Sequence, residues 1–209
     1  MRYHKIPDET VRRLPVYLRG ALYLSRDGAV SASSKELADQ IGVQPWQIRK
    51  DLSYFGDFGT PGVGYDLRSL ISRVNKILRL GTGHKAALVG VGNLGSALLA
   101  FPGFHIYGFE IAAAFDIDRR KIGRRKAGVL IEDIASLGLL EARGIHLGII
   151  AVPGSASQEV AGALVTAGIK GILNFSPCRI AVPRAVKVIT IDIAMDLARL
   201  PYYVPGNRR

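Results

Sequence analysis

Over the first eighty residues apolar positions recur at helical spacing; beyond them, short β-branched runs alternate with helical stretches. Residues 7–25 carry a helical pattern that Pro15 kinks or interrupts, because proline cannot donate to the preceding turn. Ser33-Ser34-Lys35-Glu36 has the spacing of a capping box, with Ser33 accepting from the third amide while Glu36 reaches back. Leu37, Ala38 and Ile41 give the short helix behind it one buried face, and Gly42 supplies a left-handed end. Pro45 opens the next helix at its first position, where the missing N–H costs nothing. Two helices this close, with small Ala38 inside and Gly42 at the turn, have helix-turn-helix spacing.

The second of these helices has a buried stripe of Ile48, Leu52 and Phe55. Its opposite face carries Trp46, Lys50, Ser53 and Tyr54, flanked by Gln47 and Arg49. Arginine and lysine reach phosphates or guanine O6/N7, and Gln47 can pair with adenine. A solvated amphipathic face is the plain alternative. An exposed tryptophan and tyrosine beside two cations are unusual on such a face and favour DNA. Asp51 sits nearer the buried edge and reads as half of a structural ion pair. The segment from Gly56 to Tyr65 follows, with Pro61-Gly62 as the central pair of a type II turn. Phe58, Val63 and Tyr65 then supply short paired strands on either side. This is a wing that rests Thr60 and its neighbours on the phosphate backbone, or else a mere connecting hairpin. Residues 67–80 return to helix, and Leu80-Gly81-Thr82-Gly83-His84 closes a first domain of residues 1–83 as a linker.

Residues 84–192 have the texture of a doubly wound α/β domain. Ala86-Ala87-Leu88-Val89 is a buried strand feeding Gly90-Val91-Gly92-Asn93-Leu94-Gly95, with a helix from Ser96 to Ala100. A second strand over residues 111–115 ends in Asp116, 21 positions after Gly95 and close to the spacing of a ribose-binding acid. Gly90 makes the tight turn, Gly92 lets main chain approach a pyrophosphate, Gly95 lets helix meet sheet, and the helix N-terminus offers amides to the anion. Asp116 at the strand end argues for NAD over NADP, although Arg119, Arg120 and Lys121 point the other way. A fold of this kind that binds coenzyme A, or nothing, remains the alternative. Further strand ends fall at Val152-Pro153, Asn174-Phe175 and Asp192. In a doubly wound sheet they converge over the cofactor, so Val152, Pro153, Asn174 and Phe175 are candidates for packing around ribose and nicotinamide. A plain strand-to-loop turn is the alternative for each.

Composition narrows the classes. Lys plus Arg is 28 against 17 acids, a net +11, yet 48% of the 209 residues are hydrophobic and 22% charged. Disorder is excluded by that apolar content, and anionic partners are favoured by the charge. The charge divides as +5 and +6 between residues 1–83 and 84–209, so it does not mark the boundary. The uncharged run from Ala86 to Phe109 is long enough for a membrane span, but its glycines and Pro102 suit a buried strand and turn. One cysteine, Cys178, forms no intrachain disulfide, and no apolar leader opens the chain, so a cytoplasmic location is expected. Hydride transfer wants a positioned proton donor and a substrate-anchoring arginine. Neither these nor metal-ligand spacing emerges, so a dehydrogenase with an accessory helical domain is the lesser reading.

The string Arg49-Lys50-Asp51-Leu52-Ser53-Tyr54-Phe55-Gly56, the Phe58-Gly59…Gly62-Val63-Gly64-Tyr65 wing, Gly90 to Gly95 and Gly171-Ile172-Leu173-Asn174-Phe175 closely resemble the Rex family of bacterial redox-sensing repressors. The resemblance covers nearly the whole chain. It implies a non-catalytic homodimer that binds a palindromic operator DNA when NADH is scarce and releases it when NADH rises, with NADH and NAD+ as regulatory ligands. It further implies that a last helix, about residues 194–204 within a segment 193–209, inserts between the domains of the partner subunit. Arg19 would be the family's interdomain arginine and Asp192 its acidic partner near the nicotinamide. Three positions depart from the family pattern. Pro61 replaces a wing-tip arginine, Phe101 stands where some members have a tyrosine, and Pro201 falls inside the swapped helix.

Overall fold

Residues Asp8–Arg26 form one helix, α1, because Leu14, Tyr17, Leu18 and Ala21 place a continuous apolar stripe on one side. Pro15 lies inside α1 without breaking it. The proline is on the exposed side, and the carbonyl deprived of its i+4 amide belongs to Val11, itself 41% exposed, so the lost bond falls on the solvent side of the helix and not in the core. The computed structural model describes residues 6–60 and 62–204. Pro61 and the short tail at 205–209 lie outside them.

The chain separates into two compact units between Thr82 and Gly83. In the first, β1 (Ser31–Ala32) leads into α2 (Ser34–Ile41), α3 (Pro45–Ser53), β2 (Tyr65–Asp66) and α4 (Leu67–Leu78). The start of α2 is the expected capping box: Ser33 Oγ accepts from the Glu36 amide, and Glu36 Oε2 accepts from the Ser33 amide at 2.7 Å. Gly42 ends it in the left-handed conformation and Pro45 opens α3. Against α2, α1 packs at Gly20, where any Cβ would collide with Ile41. Asp66 caps α4, which stops two residues earlier than its apolar pattern, with Arg79 left-handed and a 3₁₀ turn over Leu80–Thr82.

The hairpin after α3 differs from expectation. Tyr65 pairs with Ala32 and Asp66 with Ser31, so its strand partner is the segment before α2. Among the described residues of the wing, the one strand-like pairing is the Thr60–Gly64 bridge. The Val63 amide donates to the Thr60 carbonyl and Gly62 has φ +79°, the geometry of the third residue of a type II turn.

The second unit is a seven-stranded sheet of β3 (His84–Val89), β4 (Phe109–Asp116), β5 (Arg125–Lys126), β6 (Val129–Asp133), β7 (Leu147–Ile150), β8 (Gly171–Asn174) and β9 (Lys187–Thr190). Its order is β5-β6-β4-β3-β7-β8-β9, parallel except for the β5–β6 pair. Without β5 this is the 3-2-1-4-5-6 order of the doubly wound dinucleotide fold. Helices α5 (Asn93–Leu99), α6 (Gly103–Ile106) and α7 (Gly154–Thr166) connect strands, and a 3₁₀ helix spans Ile134–Leu139. The strand alternation sends Val89, Phe115 and Ile150 to one apolar layer and Leu88, Ala114 and Ile149 to the other. Both faces are therefore covered, which explains the run of uncharged residues noted in the sequence. Among the described residues no helix is long and apolar enough to cross a membrane. After β9 come α8 (Ile193–Arg199) and a 3₁₀ turn over Leu200–Tyr203; Pro201 sits at the start of that turn, so it terminates α8 rather than kinking it.

Candidate nucleic-acid interface and dinucleotide site

On α3, Ile48 and Leu52 are buried and Phe55 is half-buried, which fixes the outward side of the helix. Trp46 (53% exposed), Lys50, Ser53 and Tyr54 stand on that outward side. Lys50 has no hydrogen-bond or ion-pair partner among the described residues, leaving its ammonium available. Arg49 Nη1 donates to Ser34 Oγ at 2.6 Å, so it joins the start of α2 to α3. Ser53 Oγ donates back to the Lys50 carbonyl. Thr60 is exposed at the wing, and a groove of about 480 Å³ runs between it, Ser34, Arg49 and Ser53. The root of the wing is held by Arg73 of α4, whose guanidinium lies 3.8 Å over the Phe58 ring and donates to the Asp57 carbonyl.

Gln47 is not on the outward face. It is half-buried, and its Nε2 donates to Asp51 Oδ1 at 3.0 Å. The adenine-reading role expected for it conflicts with that bond. Asp51 is the structural ion-pair residue that its position suggested: 1% exposed, it accepts from Arg13, Tyr17 and Thr10 of α1. Burial alone would push its carboxyl up. The bonds from Arg13, Tyr17, Thr10 and Gln47 outweigh burial and hold it below the usual carboxylate range.

In the second unit the strand order reverses between β3 and β7, and the glycine loop lies at this switch point. Gly90 has φ +96°, and a Cβ there would strike Ala151 main chain and Val152 Cγ1. A Cβ on Gly95 would overlap the Gly90 carbonyl oxygen, so the helix start lies directly on the strand end. Gly92 is different: its missing side chain faces open space, which is what a pyrophosphate against the main chain requires. The helix also begins earlier than expected, at Asn93, so the exposed Gly92, Asn93 and Leu94 form its amide-bearing end. Val91 is buried behind them and donates its amide to Asp116 Oδ2 at 2.9 Å.

Asp116 ends β4 as the spacing predicts, but it is 8% exposed and already engaged by its own chain. Lys121 Nζ lies 2.8 Å from Oδ2, and the Asp118 amide donates to Oδ1. Burial raises this carboxyl; Lys121 and the two amides more than offset that and keep it low. Arg120 turns to Asp118, whose carboxyl it pulls down to about 2. Of the three cations weighed for a 2′-phosphate, Arg119 alone has no partner among the described residues.

Val152 and Pro153 reach the same strand edge, Val152 half-buried and Pro153 exposed. Phe175 follows β8, its amide bonded to the Ile150 carbonyl. Asn174 is fully buried: its amide nitrogen donates to the Ser176 and Cys178 carbonyls, and its oxygen accepts from the Ser176 amide. These bonds organise the turn after β8. Ser176, which the sequence did not single out, donates to the Val152 carbonyl at 2.6 Å and ties two strand ends together. Its signal was only a serine after a strand. Phe101 is half exposed and edge-on to Phe104. Arg19 is exposed on α1, while Asp192 caps α8 by accepting from the Met195 amide.

A family model described as "Putative DNA-binding protein N-terminus" matches residues 5–53, and one described as a CoA binding domain matches residues 82–178. The chain is 43% identical to a redox-sensing transcriptional repressor Rex from Syntrophobacter fumaroxidans, covering 98% of each chain. The same identity holds to the Rex repressor of Desulfitobacterium hafniense over all of both chains. Among solved structures it is similar to RSP in complex with β-NAD+ and operator DNA, at 34% identity and a TM-score of 0.89 over 95% of this chain and 92% of that one. RSP in complex with β-NADH gives 32% identity and 0.85, over 95% and 94%. At these identities and coverages, the chain belongs to the Rex family of redox-sensing transcriptional repressors.

Proposed function

We propose that this protein is a homodimeric repressor that holds a palindromic operator when NADH is low and releases it when NADH binds. The observation that carries the reading is the joint presence of two sites in one chain. An outward helix face bears Trp46, Lys50, Ser53 and Tyr54, and a glycine turn at the sheet's switch point leaves open space at Gly92. Residues Arg49 and Thr60 extend the first site along the groove beside the wing. Related repressors solved with operator DNA, with β-NAD+ and with β-NADH support the pairing of these partners.

The Gly92, Asn93 and Leu94 main chain would hold the pyrophosphate, where the start of α5 presents its partial positive charge. Asp116 would receive the adenosine ribose with its remaining acceptor capacity, its charge tempered by Lys121. Val152, Pro153 and Phe175 line the strand ends beyond. The two redox forms of the ligand differ by one positive charge on the nicotinamide ring. An apolar surround disfavours the charged form and so favours the reduced one. A ligand shifts an open–closed equilibrium only through its differential affinity for the two states. Pairing of Arg19 with Asp192 supports the DNA-binding state, and closure re-spaces the two α3 helices of the dimer relative to the operator half-sites.

The protein transforms no substrate in this reading. Fluorescence anisotropy on a palindromic operator, with NADH, NAD+ and coenzyme A titrated separately, tests it. Release at NADH concentrations where NAD+ leaves the complex intact is expected, with no loss of NADH absorbance. Release by NAD+ alone, response to coenzyme A only, or indifference to all three would overturn it.

A further inference from the structure

The Asp51 carboxylate accepts five hydrogen bonds from four side chains. Thr10 Oγ1 donates at 2.9 Å, Arg13 Nε and Nη2 at 2.5 and 3.0 Å, Tyr17 Oη at 2.5 Å and Gln47 Nε2 at 3.0 Å. Three of these residues lie on α1, one on α3 itself. The main body of α1 packs against α2 and α4, whereas α3 packs against α2. Asp51 is therefore a polar tie that joins α3 directly to α1, beside the packing of each on α2. Ile48 and Leu52 decide which side of α3 is buried, but apolar burial is non-directional and sets the fine rotation about the helix axis less tightly than hydrogen bonds do. Hydrogen bonds are directional, and a carboxylate gripped from several sides cannot turn without breaking them. Lys50 adjoins Asp51 in sequence, and Trp46 and Ser53 share its helix, so whatever fixes Asp51 fixes their aim.

We infer that Asp51 is a positioning residue for DNA recognition, setting the rotation of α3 on α1, and that Gln47 serves this clamp instead of reading a base. The inference rests on the reading of α3 as the DNA-contacting helix. It also makes α1 and α3 one lever, so a displacement of α1 carries the outward face with it.

Trp46, the only tryptophan in the chain, reports on α3 without DNA. Asp51→Asn and Tyr17→Phe variants of the full chain would be compared with wild type at a temperature where circular dichroism shows them folded. Time-resolved anisotropy of Trp46 should show a larger amplitude of local motion in both. Operator affinity should fall on the order of tenfold while random duplex is held as well or better. Charge alone predicts the opposite for Asp51→Asn, because removing a negative charge tightens binding to every duplex. Trp46 as ordered as in wild type, or operator affinity rising in step with random duplex, would overturn the inference. If Asp51→Asn does not fold, Tyr17→Phe, which loses a single O–H, decides alone. A wild-type protein that binds no operator would sink the DNA reading, while the motion of Trp46 would still decide the clamp.

Discussion

Gly90 and Gly95 meet across the turn that joins β3 to α5: a methyl on Gly95 would overlap the Gly90 carbonyl oxygen. That oxygen cannot retreat, since Gly90 is held by its amide to the Phe115 carbonyl at 2.8 Å. Gly95→Ala should therefore cost about 2–3 kcal/mol by overpacking and lower Tm with or without ligand. Gly92→Ala should leave Tm within about 1–2 °C of wild type, because its Cβ meets nothing and its φ of −78° suits any residue. Yet the new methyl occupies the space assigned to the pyrophosphate, so the thermal shift on adding NADH should vanish. A Gly92→Ala protein with the full NADH shift would place the phosphates elsewhere.

Lys50 and Trp46 stand on the same face but act on DNA through different physics. Lys50→Ala removes one phosphate contact, so the slope of log affinity against log salt should fall by about 0.9. Trp46→Ala should weaken operator binding with the slope unchanged, since an uncharged ring displaces no counterion. Anisotropy titrations at four salt concentrations separate the two, and equal slopes for wild type and Lys50→Ala would remove Lys50 from the interface.

Asp51 and Asp116 both titrate below the ordinary carboxylate range, so their contribution to stability has a defined sign. A lowered folded pKa gives stability that is fully present above the unfolded value, about 4, and lost as pH falls through the folded value. Urea midpoints should thus be flat near neutrality and drop in acid below about pH 4. Asp51→Asn should lose about 3 kcal/mol at pH 7, because Arg13 keeps its charge without the carboxylate. The variant should also show a shallower acid limb. An unchanged acid limb would mean that Asp51 does not carry this dependence.

The sites differ in how far local pattern reaches them. The capping box at Ser33, the stop at Gly42, the start at Pro45 and the glycine turn were legible because each is decided within four or five residues of chain. Tyr65 was assigned to a hairpin strand, whereas its partner is Ala32, more than thirty residues away, which no local period encodes. The pair β5–β6 went unread because two exposed cations and a five-residue run carry almost no alternation. Gln47 has the composition of a base reader. Only the position of Asp51 one turn on, and of α1 behind it, diverts its amide inward. The place of Asn174 at a strand end was legible, but the bonds of its amide to Ser176 and Cys178 in the turn after β8 were not, because no period encodes a turn.

Arg19 and Asp192 lie in different units, so their proposed pairing is best tested by charge exchange. Either single reversal should weaken operator binding and blunt the NADH response, and the double reversal should restore both in part. Singles and the double that respond to NADH like wild type would remove the pair from the switch.

The last segment offers the sharpest test of assembly. On α8 and the turn behind it Ile193, Met195, Leu197, Leu200, Tyr202, Tyr203 and Val204 are each more than half exposed. A helix of seven residues is too short to persist alone in water, and so many apolar side chains on it call for a cover. The proposed cover is a second copy of the chain, as the family resemblance implies. Deleting residues 193–209 should convert the protein to a monomer by sedimentation equilibrium. Affinity for a two-half-site operator should then fall by on the order of 100-fold or more, since the second half-site is no longer engaged as an intramolecular event. The glycine turn from Gly90 to Gly95 lies outside the deleted segment, so the truncated chain should still bind NADH and shift in Tm. The double variant Leu197→Glu/Tyr202→Glu should reproduce the monomer without shortening the chain, which excludes an effect of the tail itself. A truncated protein that remains dimeric and keeps its operator affinity would show that the two copies meet through another surface.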